Sequence, residues 1–337
     1  MSERTPVRKA TNLPFPKKIN FSLQEGVCNQ RCPKCFVHGT NNASEKKLSG
    51  SMPQEQIVRL LKEANRHTSM VSPSFFSEPM VAKNFAFFVR EAKKNGLPVN
   101  ICTNGVLLDE AMSAFLLDMD VALLSISIDA SSREVFHKVR GVDKLDQVVG
   151  NVLRFLDMRG AAKRPRVTVS FGVEEANRLE KQSFLDFWLA RADCVKIYGV
   201  YDRSKRLYDV DVSSRRLPCR EVFDQMNVYF DGTALMCCLD GRAKTNLGNV
   251  FEKGIGALWN AQAYETLRLR HTANDYSDLA FCRDCRLWAN FDITREETVA
   301  GVQIRSSEGI EYHNRLDRLE GWTEALKRVE ISELFGS

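Results

Sequence analysis

The sequence predicts an α/β fold in which helices wrap a parallel sheet, and two patterns support this prediction. Strand-like apolar segments alternate with helix-like segments through residue 200. Polar residues follow each predicted strand, and in parallel folds such residues collect at one edge where ligands bind. The six predicted strands lie near residues 19–23, 70–75, 98–103, 121–128, 166–171 and 194–200.

The helices between these strands are indicated by capping residues and by apolar faces. Pro53 suits the start of the first helix, Gly96 the end of the next, and Asp109 the N-cap of a third. A fourth helix is predicted over residues 143–158. Apolar residues at helical spacing mark the buried faces of the first and fourth helices: Ile57, Leu60, Leu61, Ala64, Val148, Val149, Val152, Phe155 and Leu156.

Composition narrows the class of protein. The chain has 337 residues, 44% of them hydrophobic, which is enough for a large core and two domains. A net charge of +5 without a basic block makes nucleic-acid binding unlikely. The richest apolar stretch, residues 121–128, is too short to span a membrane, so we expect a cytoplasmic protein. In that compartment ten cysteines favour metal ligation or buried thiols over disulfides.

Cys28, Cys32 and Cys35 directly follow the first predicted strand, and their spacing is typical of a metal-binding loop. Four thiolates would complete a tetrahedral zinc site or saturate an iron-sulfur cluster. Three thiolates leave one position open, where a metal could perform chemistry. The alternative is that the three are unrelated buried thiols.

This motif, together with Glu78-Pro79 after the second strand, resembles the radical S-adenosylmethionine (SAM) superfamily. The resemblance implies a partial (β/α)6 TIM-like barrel, which we place at residues 15–205. It also implies a 4Fe-4S cluster held by the three cysteines, with SAM bound to the fourth iron. Electrons for such a cluster come from a donor such as flavodoxin or ferredoxin.

The same resemblance implies contacts to SAM. Glu78 would bind the methionine amino group, Ser127 and Asp129 the ribose hydroxyls, and Arg140 the methionine carboxylate, with Asn177 as a further contact. The alternatives are that Glu78 is an exposed loop carboxylate, that Ser127 and Asp129 cap the next helix, and that Arg140 and Asn177 make surface hydrogen bonds.

Two departures from the family pattern affect this site. The glycines that usually precede Glu-Pro are replaced by Phe76 and Ser77. Lys34 stands where the family places an aromatic residue near the adenine, and Phe36 could substitute for it. The Lys34 departure concerns the packing of the adenine and not the ligands of the cluster.

A second cysteine set surrounds a predicted hairpin, residues 226–230 and 233–237, whose turn is Asp231-Gly232. The pattern resembles the SPASM/twitch auxiliary-cluster region, which we place at residues 206–290. It implies a second 4Fe-4S cluster whose iron atoms are all ligated, and therefore a role in electron transfer. Structural zinc is the alternative. The four predicted ligands are Cys219, Cys237, Cys282 and Cys285.

Three cysteines remain. Cys102 and Cys194 lie in predicted strands, where a thiol usually packs as a small apolar group. Cys238 follows a predicted ligand, and neighbours in a strand face opposite ways. It could pack, replace a ligand or donate a hydrogen atom to a substrate.

The C-terminal part is predicted to be helical over residues 291–337. Residues 312–330 carry apolar residues at helical spacing, which predicts an amphipathic helix that packs on the body of the protein or docks a partner.

The resemblance implies a radical enzyme acting on a small molecule. The favoured reaction is oxidation of a hydroxyl to a ketone on a sugar-like or aminocyclitol-like substrate, with the auxiliary cluster as electron acceptor. Radical epimerisation of such a substrate is the first alternative. Modification of a peptide is another, and a non-enzymatic metal-binding protein is the alternative from a different class.

Overall fold

The computed structural model describes residues 13–39, 49–67, 70–200, 216–241, 243–291 and 293–319. The strands in these ranges are β1 (Lys18–Phe21), β2 (Gln24–Glu25), β3 (Gly50–Ser51), β4 (Met70–Ser72), β5 (Asn100–Thr103), β6 (Leu123–Ser127), β7 (Arg166–Val173), β8 (Cys194–Gly199), β9 (Gln225–Val228), β10 (Ala234–Leu235), β11 (Arg295–Val299), β12 (Val302–Ser306) and β13 (Ile310–Arg315).

The helices are α1 (Gln54–Asn65), α2 (Phe85–Lys94), α3 (Glu110–Asp118), α4 (Arg133–Arg140), α5 (Leu145–Arg159), α6 (Lys181–Leu189), α7 (Glu221–Asp224), α8 (Val250–Lys253), α9 (Ile255–Trp259) and α10 (Gln262–Thr272). Short 3-10 turns lie at Pro79–Val81, Arg178–Glu180, Leu287–Asn290 and Leu316–Arg318. Among the described residues, no helix combines the length and the apolar character that a membrane crossing requires.

The six predicted strands form the parallel part of the structure. Strand β1 pairs with β4, and β5, β6, β7 and β8 pair in sequence, all in parallel. A parallel bridge between Val71 and Val99 connects the two groups. This order, with helices between successive strands, is that of the predicted partial barrel, and it brings the carboxyl ends of the six strands to one side.

Helices cover the outer face of this sheet as the apolar spacing predicted. Ile57, Leu60, Leu61 and Ala64 of α1 are fully buried. The side chain of Asp109 accepts a hydrogen bond from Met112 N at 2.8 Å and so caps α3 as predicted.

The two faces of β6 differ in chemistry. Leu124 and Ile126 are fully buried against the helices, whereas Ser125 and Ser127 point to the opposite face. The matching face of β7 presents Thr168 and Ser170, which pair with those serines in register. The inner face of the barrel, called the lumen below, is therefore lined by polar side chains.

The predicted hairpin extends the barrel sheet. Strand β9 pairs in parallel with β1 and antiparallel with β10. Gly232, in the turn, has a φ of 88°, a conformation that glycine adopts without strain. The segment that carries the second cysteine set is thus joined to β1 through backbone hydrogen bonds.

The prediction of helix over residues 291–337 is wrong over β11, β12 and β13, and the predicted amphipathic helix over residues 312–330 is wrong over residues 312–315. These residues belong to β13, and β11, β12 and β13 form an antiparallel meander that pairs with β8. The reason is tertiary: β8 would otherwise be an open sheet edge, and β13 satisfies its backbone groups. The predicted helix from residue 320 onward lies outside the described residues.

Candidate active site and auxiliary cysteine site

The loop of Cys28, Cys32 and Cys35 follows β2 and is tightly folded. Cys35 N donates to Cys32 O at 3.0 Å, and His38 N donates to Cys35 Sγ at 3.2 Å. A Cβ atom on Gly39 would lie only 2.9 Å from Cys32 O, so only glycine fits at this close approach.

The chemistry of this loop fits a metal cluster. Burial raises the pKa of Cys28 to about 11, and the neighbouring Glu78, Cys32 and Cys35 add to the shift. A bound metal would offset that cost, because thiolates are its ligands. Asn29 Nδ2 and Gln30 Nε2 are buried donors without a hydrogen-bond partner in the described structure, and a cluster with its sulfides would provide acceptors.

Glu78 lies at the carboxyl end of β4 and is buried, not the exposed loop carboxylate of the alternative interpretation. It accepts hydrogen bonds from Thr103 Oγ1 at 2.6 Å, from Asn104 N at 2.8 Å and from Met80 N at 3.3 Å. Burial raises its pKa. A carboxylate has about four acceptor positions, so one remains for the ammonium group of a ligand.

Asp129 follows β6 and has no exposed surface. Its carboxylate lies 2.6 Å from Lys34 Nζ and 2.8 Å from Arg140 Nη2, and it accepts from Gly172 N at 2.7 Å. Burial alone would raise its pKa, but the two cations lower it below the usual value. Lys34 also pairs with Glu174 at 2.9 Å. The positive charges of Lys34 and Arg140 are thus balanced by the negative charges of Asp129 and Glu174 at the mouth of the barrel.

The structure brings the other predicted SAM contacts to the same edge. Arg140 Nη1 approaches Cys32 Sγ at 3.9 Å, and Ser127 lies on the lumen face. Asn177 donates to Asp129 O at 2.9 Å and to Gly172 O at 2.8 Å, so its amide hydrogens are used in holding the loop after β7. Arg140 and Asn177 are buried, which differs from the surface alternative.

Cys102 does not pack in the core as expected. It is exposed, and its Sγ lies 3.9 Å from Ser127 Oγ. Cys194 is buried as expected. An exposed thiol on the lumen face shows that the lumen is open, and sequence patterns alone could not have told these two cysteines apart.

Glu25, a buried carboxylate three residues before Cys28, carries no signal in the sequence that would mark it as a site residue. Ser22 Oγ and Ser77 Oγ donate to it, the latter at 3.3 Å. Burial raises its pKa to about 7, and the serine hydrogen bonds only partly oppose that shift. Glu25 can therefore hold or release a proton near neutral pH.

The second cysteine set lines one small, largely apolar cavity beside β10. All four predicted ligands contribute to its wall: Cys219, Cys237, Cys282 and Cys285. Burial raises the pKa of Cys219 and of Cys237 well above the usual value, and each is raised further by Glu221 and by other cysteines of the set. Thiols gathered in this way fit a metal cluster that would hold them as thiolates.

Two buried N–H groups support the same fit. His271 and Trp288 line the cavity, and His271 Nε2 and Trp288 Nε1 have no hydrogen-bond partner in the described structure. Burial lowers the pKa of His271 to about 4, so it is neutral at pH 7, and its Nδ1 accepts from Cys219 N at 3.2 Å. Sulfides of a cluster are the acceptors that such groups lack.

No three His, Cys, Asp or Glu side chains in the described ranges converge on the position of a single metal ion. A 4Fe-4S cluster does not require this, because each thiolate binds a different iron.

Cys238 lies next to the cavity of the second cysteine set, and its N donates to Glu221 Oε2 at 3.2 Å. Its pKa is raised by burial and by Glu221 and the neighbouring cysteines.

Fold and site together define a class: a parallel partial barrel with a three-cysteine loop at its mouth and a separate four-cysteine site. A family profile described as Radical SAM superfamily matches residues 26–176, and one described as an iron-sulfur cluster-binding domain, SPASM, matches residues 219–286. The chain belongs to the radical SAM superfamily and carries a SPASM domain. It is a radical SAM oxidoreductase that binds iron-sulfur clusters and SAM.

Two curated proteins illustrate the relationship. The tungsten-containing aldehyde ferredoxin oxidoreductase cofactor-modifying protein of Pyrococcus furiosus is 32% identical over 312 residues, covering 77% of this chain and 85% of that protein. The S-adenosyl-L-methionine-dependent 2-deoxy-scyllo-inosamine dehydrogenase of Niallia circulans is 24% identical over 287 residues, covering 82% and 96%.

Among solved structures, BtrN in complex with AdoMet and 2-DOIA has a similar fold. The TM-score is 0.53 at 18% identity, and the match covers 80% of this chain and 92% of BtrN.

Proposed function

We propose that this protein oxidises a hydroxyl of a sugar-like or aminocyclitol-like small molecule to a ketone, using two 4Fe-4S clusters and SAM. The observation that carries the proposal is the cavity shared by Cys219, Cys237, Cys282 and Cys285. Four thiolates saturate a cluster, so no iron is left for substrate, and accepting an electron is the role that remains. The similarity to the 2-deoxy-scyllo-inosamine dehydrogenase supports the same type of reaction.

The residues at the barrel mouth would hold the cofactors. Cys28, Cys32 and Cys35 would ligate the first cluster, which together with bound SAM supplies a radical that abstracts hydrogen atoms. Glu78 has an acceptor position for the methionine amino group. Arg140 would meet the methionine carboxylate, while Ser127, Asp129 and Asn177 would lie beside the ribose.

The oxidation removes one hydrogen atom, one proton and one electron from a carbinol. The hydrogen atom would leave the carbon for the radical that SAM supplies and would end in 5′-deoxyadenosine. The hydroxyl proton would go to a base or to water, and a cluster held by Cys219, Cys237, Cys282 and Cys285 would accept the electron and pass it on to an external electron carrier. A reduced flavodoxin or ferredoxin would supply the electron that starts each turnover.

Cys282→Ala tests this proposal. Reconstituted wild-type protein should hold about eight irons and the variant about four. The variant should still release 5′-deoxyadenosine but form no ketone, because the substrate radical has no electron acceptor. Cys194→Ala, which changes a buried thiol outside both sets, is the control and should keep both clusters and form the product. Ketone formation by a Cys282→Ala protein that holds four irons would contradict the proposal.

One observation favours a second candidate, epimerisation. The exposed thiol of Cys102 faces the lumen, where it could return a hydrogen atom to the opposite face of a substrate radical. The sulfur radical left behind would take an electron from the external donor and a proton from water. In deuterium oxide the product would carry deuterium at carbon without a change in oxidation state. If Cys102 is the hydrogen donor, Cys102→Ala would abolish the deuterium incorporation. If Cys238 is the donor, Cys238→Ala would abolish it instead.

A further inference from the structure

Lys196 on β8 occupies the polar lumen of the barrel. It pairs in register with Ser170 on β7 and with Tyr312 on β13, and Ser170 pairs with Ser127 on β6. The Ser170 hydroxyl lies 3.4 Å from the Ser127 hydroxyl, so these side chains share one face. One level of the lumen is therefore formed by Ser127, Ser170, Lys196 and Tyr312.

This lining differs from that of a barrel whose interior is only a core. Closed barrels are usually filled by bulky branched residues such as valine, isoleucine and leucine. Here hydroxyl groups and one ammonium group take their place, and Cys102 across the sheet is exposed. A small number of polar groups that converge on one place can fix the orientation of a ligand in a binding site.

The charge of Lys196 is not balanced within the described structure. At the barrel mouth Lys34 and Arg140 face two carboxylates, but none of the ion pairs among the described residues includes Lys196. Its Nζ lies 4.8 Å from the centre of the Tyr198 ring. Burial would lower the pKa of Lys196, yet Tyr312, Tyr198, Cys102 and Cys194 raise it, so the ammonium stays charged at pH 7.

We propose that Lys196 binds an anionic group, a carboxylate or a phosphate, of the substrate in the lumen. Ser170, which pairs with Lys196 in register, offers a hydroxyl for a further hydrogen bond, whereas Ser127 is assigned to the ribose of SAM. This inference rests on the proposed function, because it concerns the substrate of that reaction. It selects an acidic sugar or cyclitol over an amino sugar or aminocyclitol, since an ammonium group on the substrate would be repelled by Lys196.

Alkylation of Cys102 tests the charge without knowledge of the substrate. Iodoacetate is anionic and iodoacetamide is neutral, and their rates at Cys102 can be measured by peptide mass spectrometry on the reconstituted holoprotein. We expect Lys196→Met to lower the iodoacetate-to-iodoacetamide rate ratio about threefold or more, because a nearby cation attracts the anionic reagent. Lys94→Met, which removes an exposed cation on α2, is the control and should leave the ratio unchanged.

The same reaction identifies the anionic group. Glucose 6-phosphate, glucuronate, glucose and glucosamine are compared as protectants of Cys102 against iodoacetamide. Protection by glucose 6-phosphate would indicate that the site binds a phosphate, and protection by glucuronate that it binds a carboxylate. Lys196→Met should weaken the binding of either protectant at least tenfold. An unchanged rate ratio in Lys196→Met, protection by glucosamine alone, or protection by none of the four would overturn the proposal.

These measurements are separate from the test of the reaction. Alkylation and protection require no turnover and no electron acceptor, so they do not depend on the result with Cys282→Ala. Lys196→Met should retain the iron content of the wild type. A dehydrogenase with an unselective lumen would fail only the alkylation test, whereas an anion-selective epimerase would fail only the ketone test.

Discussion

Lys34 Nζ lies 2.6 Å from Asp129 Oδ2 and so ties the cysteine loop to the carboxyl end of β6. Asp129 is fully buried and is also paired with Arg140 on α4. In the family pattern an aromatic residue stands at the position of Lys34. Here an ion pair joins the loop to the sheet, and the neighbouring Cys32 and Cys35 are positioned through it.

Lys34→Met should destabilise the protein and leave the three cysteine ligands of the first cluster in place. Breaking a buried pair costs about 3–5 kcal/mol when one charge is left alone, but Asp129 keeps Arg140, so we expect about 1–3 kcal/mol. Denaturant unfolding of the metal-free protein measures this. Lys94→Met, whose ion pair is exposed, should change stability by less than about 0.5 kcal/mol. Equal stabilities of the two variants would show that the pair at Asp129 does not support the fold.

Glu78→Gln should weaken SAM binding about tenfold or more while both clusters remain. The carboxylate can form a charge-assisted bond to an ammonium group, which an amide cannot equal. Calorimetric titration with SAM gives the affinity, and iron analysis gives the cluster content. Thr103→Val is the matched control, because it removes one hydrogen bond to Glu78 but leaves the charge. Unchanged affinity in Glu78→Gln would reject the assignment.

Glu25→Gln should stabilise the protein above pH 7. The pKa of Glu25 is about 7 in the folded protein, whereas the unfolded chain loses the proton near the ordinary glutamate pKa of 4.5. Wild-type stability contributed by this group therefore falls as pH rises from about 4.5 to 7. The variant has no such dependence. The stability difference should reach about 3 kcal/mol at pH 8 and vanish near pH 4. A difference independent of pH would contradict the raised pKa.

Trp288→Phe should make the reduction potential of the auxiliary cluster more negative. The buried Trp288 Nε1 has no partner in the described structure and lies in the wall of the four-cysteine cavity. A hydrogen bond to a sulfide favours the reduced cluster, and phenylalanine removes it. Redox titration followed by electron paramagnetic resonance gives the potential. Trp259→Phe removes another buried, unpartnered indole N–H, outside that cavity, and should leave the potential unchanged.

The positions of the barrel strands were predictable from the sequence, and the barrel arrangement was implied by the family resemblance. Apolar segments near β1 and β4 to β8 carry the pattern of buried strands, and each is followed by polar residues. The cysteine spacings likewise predicted two metal sites, because ligand spacing within one loop is a local property. The helix caps at Asp109 and the turn at Gly232 were also local and are confirmed.

Other features depended on contacts between distant segments. The helical spacing of residues 312–315 was overridden by pairing with β8, which supplied backbone partners that no local pattern can show. Cys102 and Cys194 both lie in predicted strands, yet one is exposed and the other is buried, where β8 is paired with β7 on one side and β13 on the other.

The chain thus determines by itself which residues can ligate metal and which segments form strands, since spacing and periodicity act over a few residues. Tertiary structure alone decided that Lys34 pairs with Asp129, 95 residues away, and that Lys196 faces a lumen of hydroxyl groups. Burial, charge balance and the availability of hydrogen-bond partners are set by groups brought together from across the chain, and these properties determine what the site can bind.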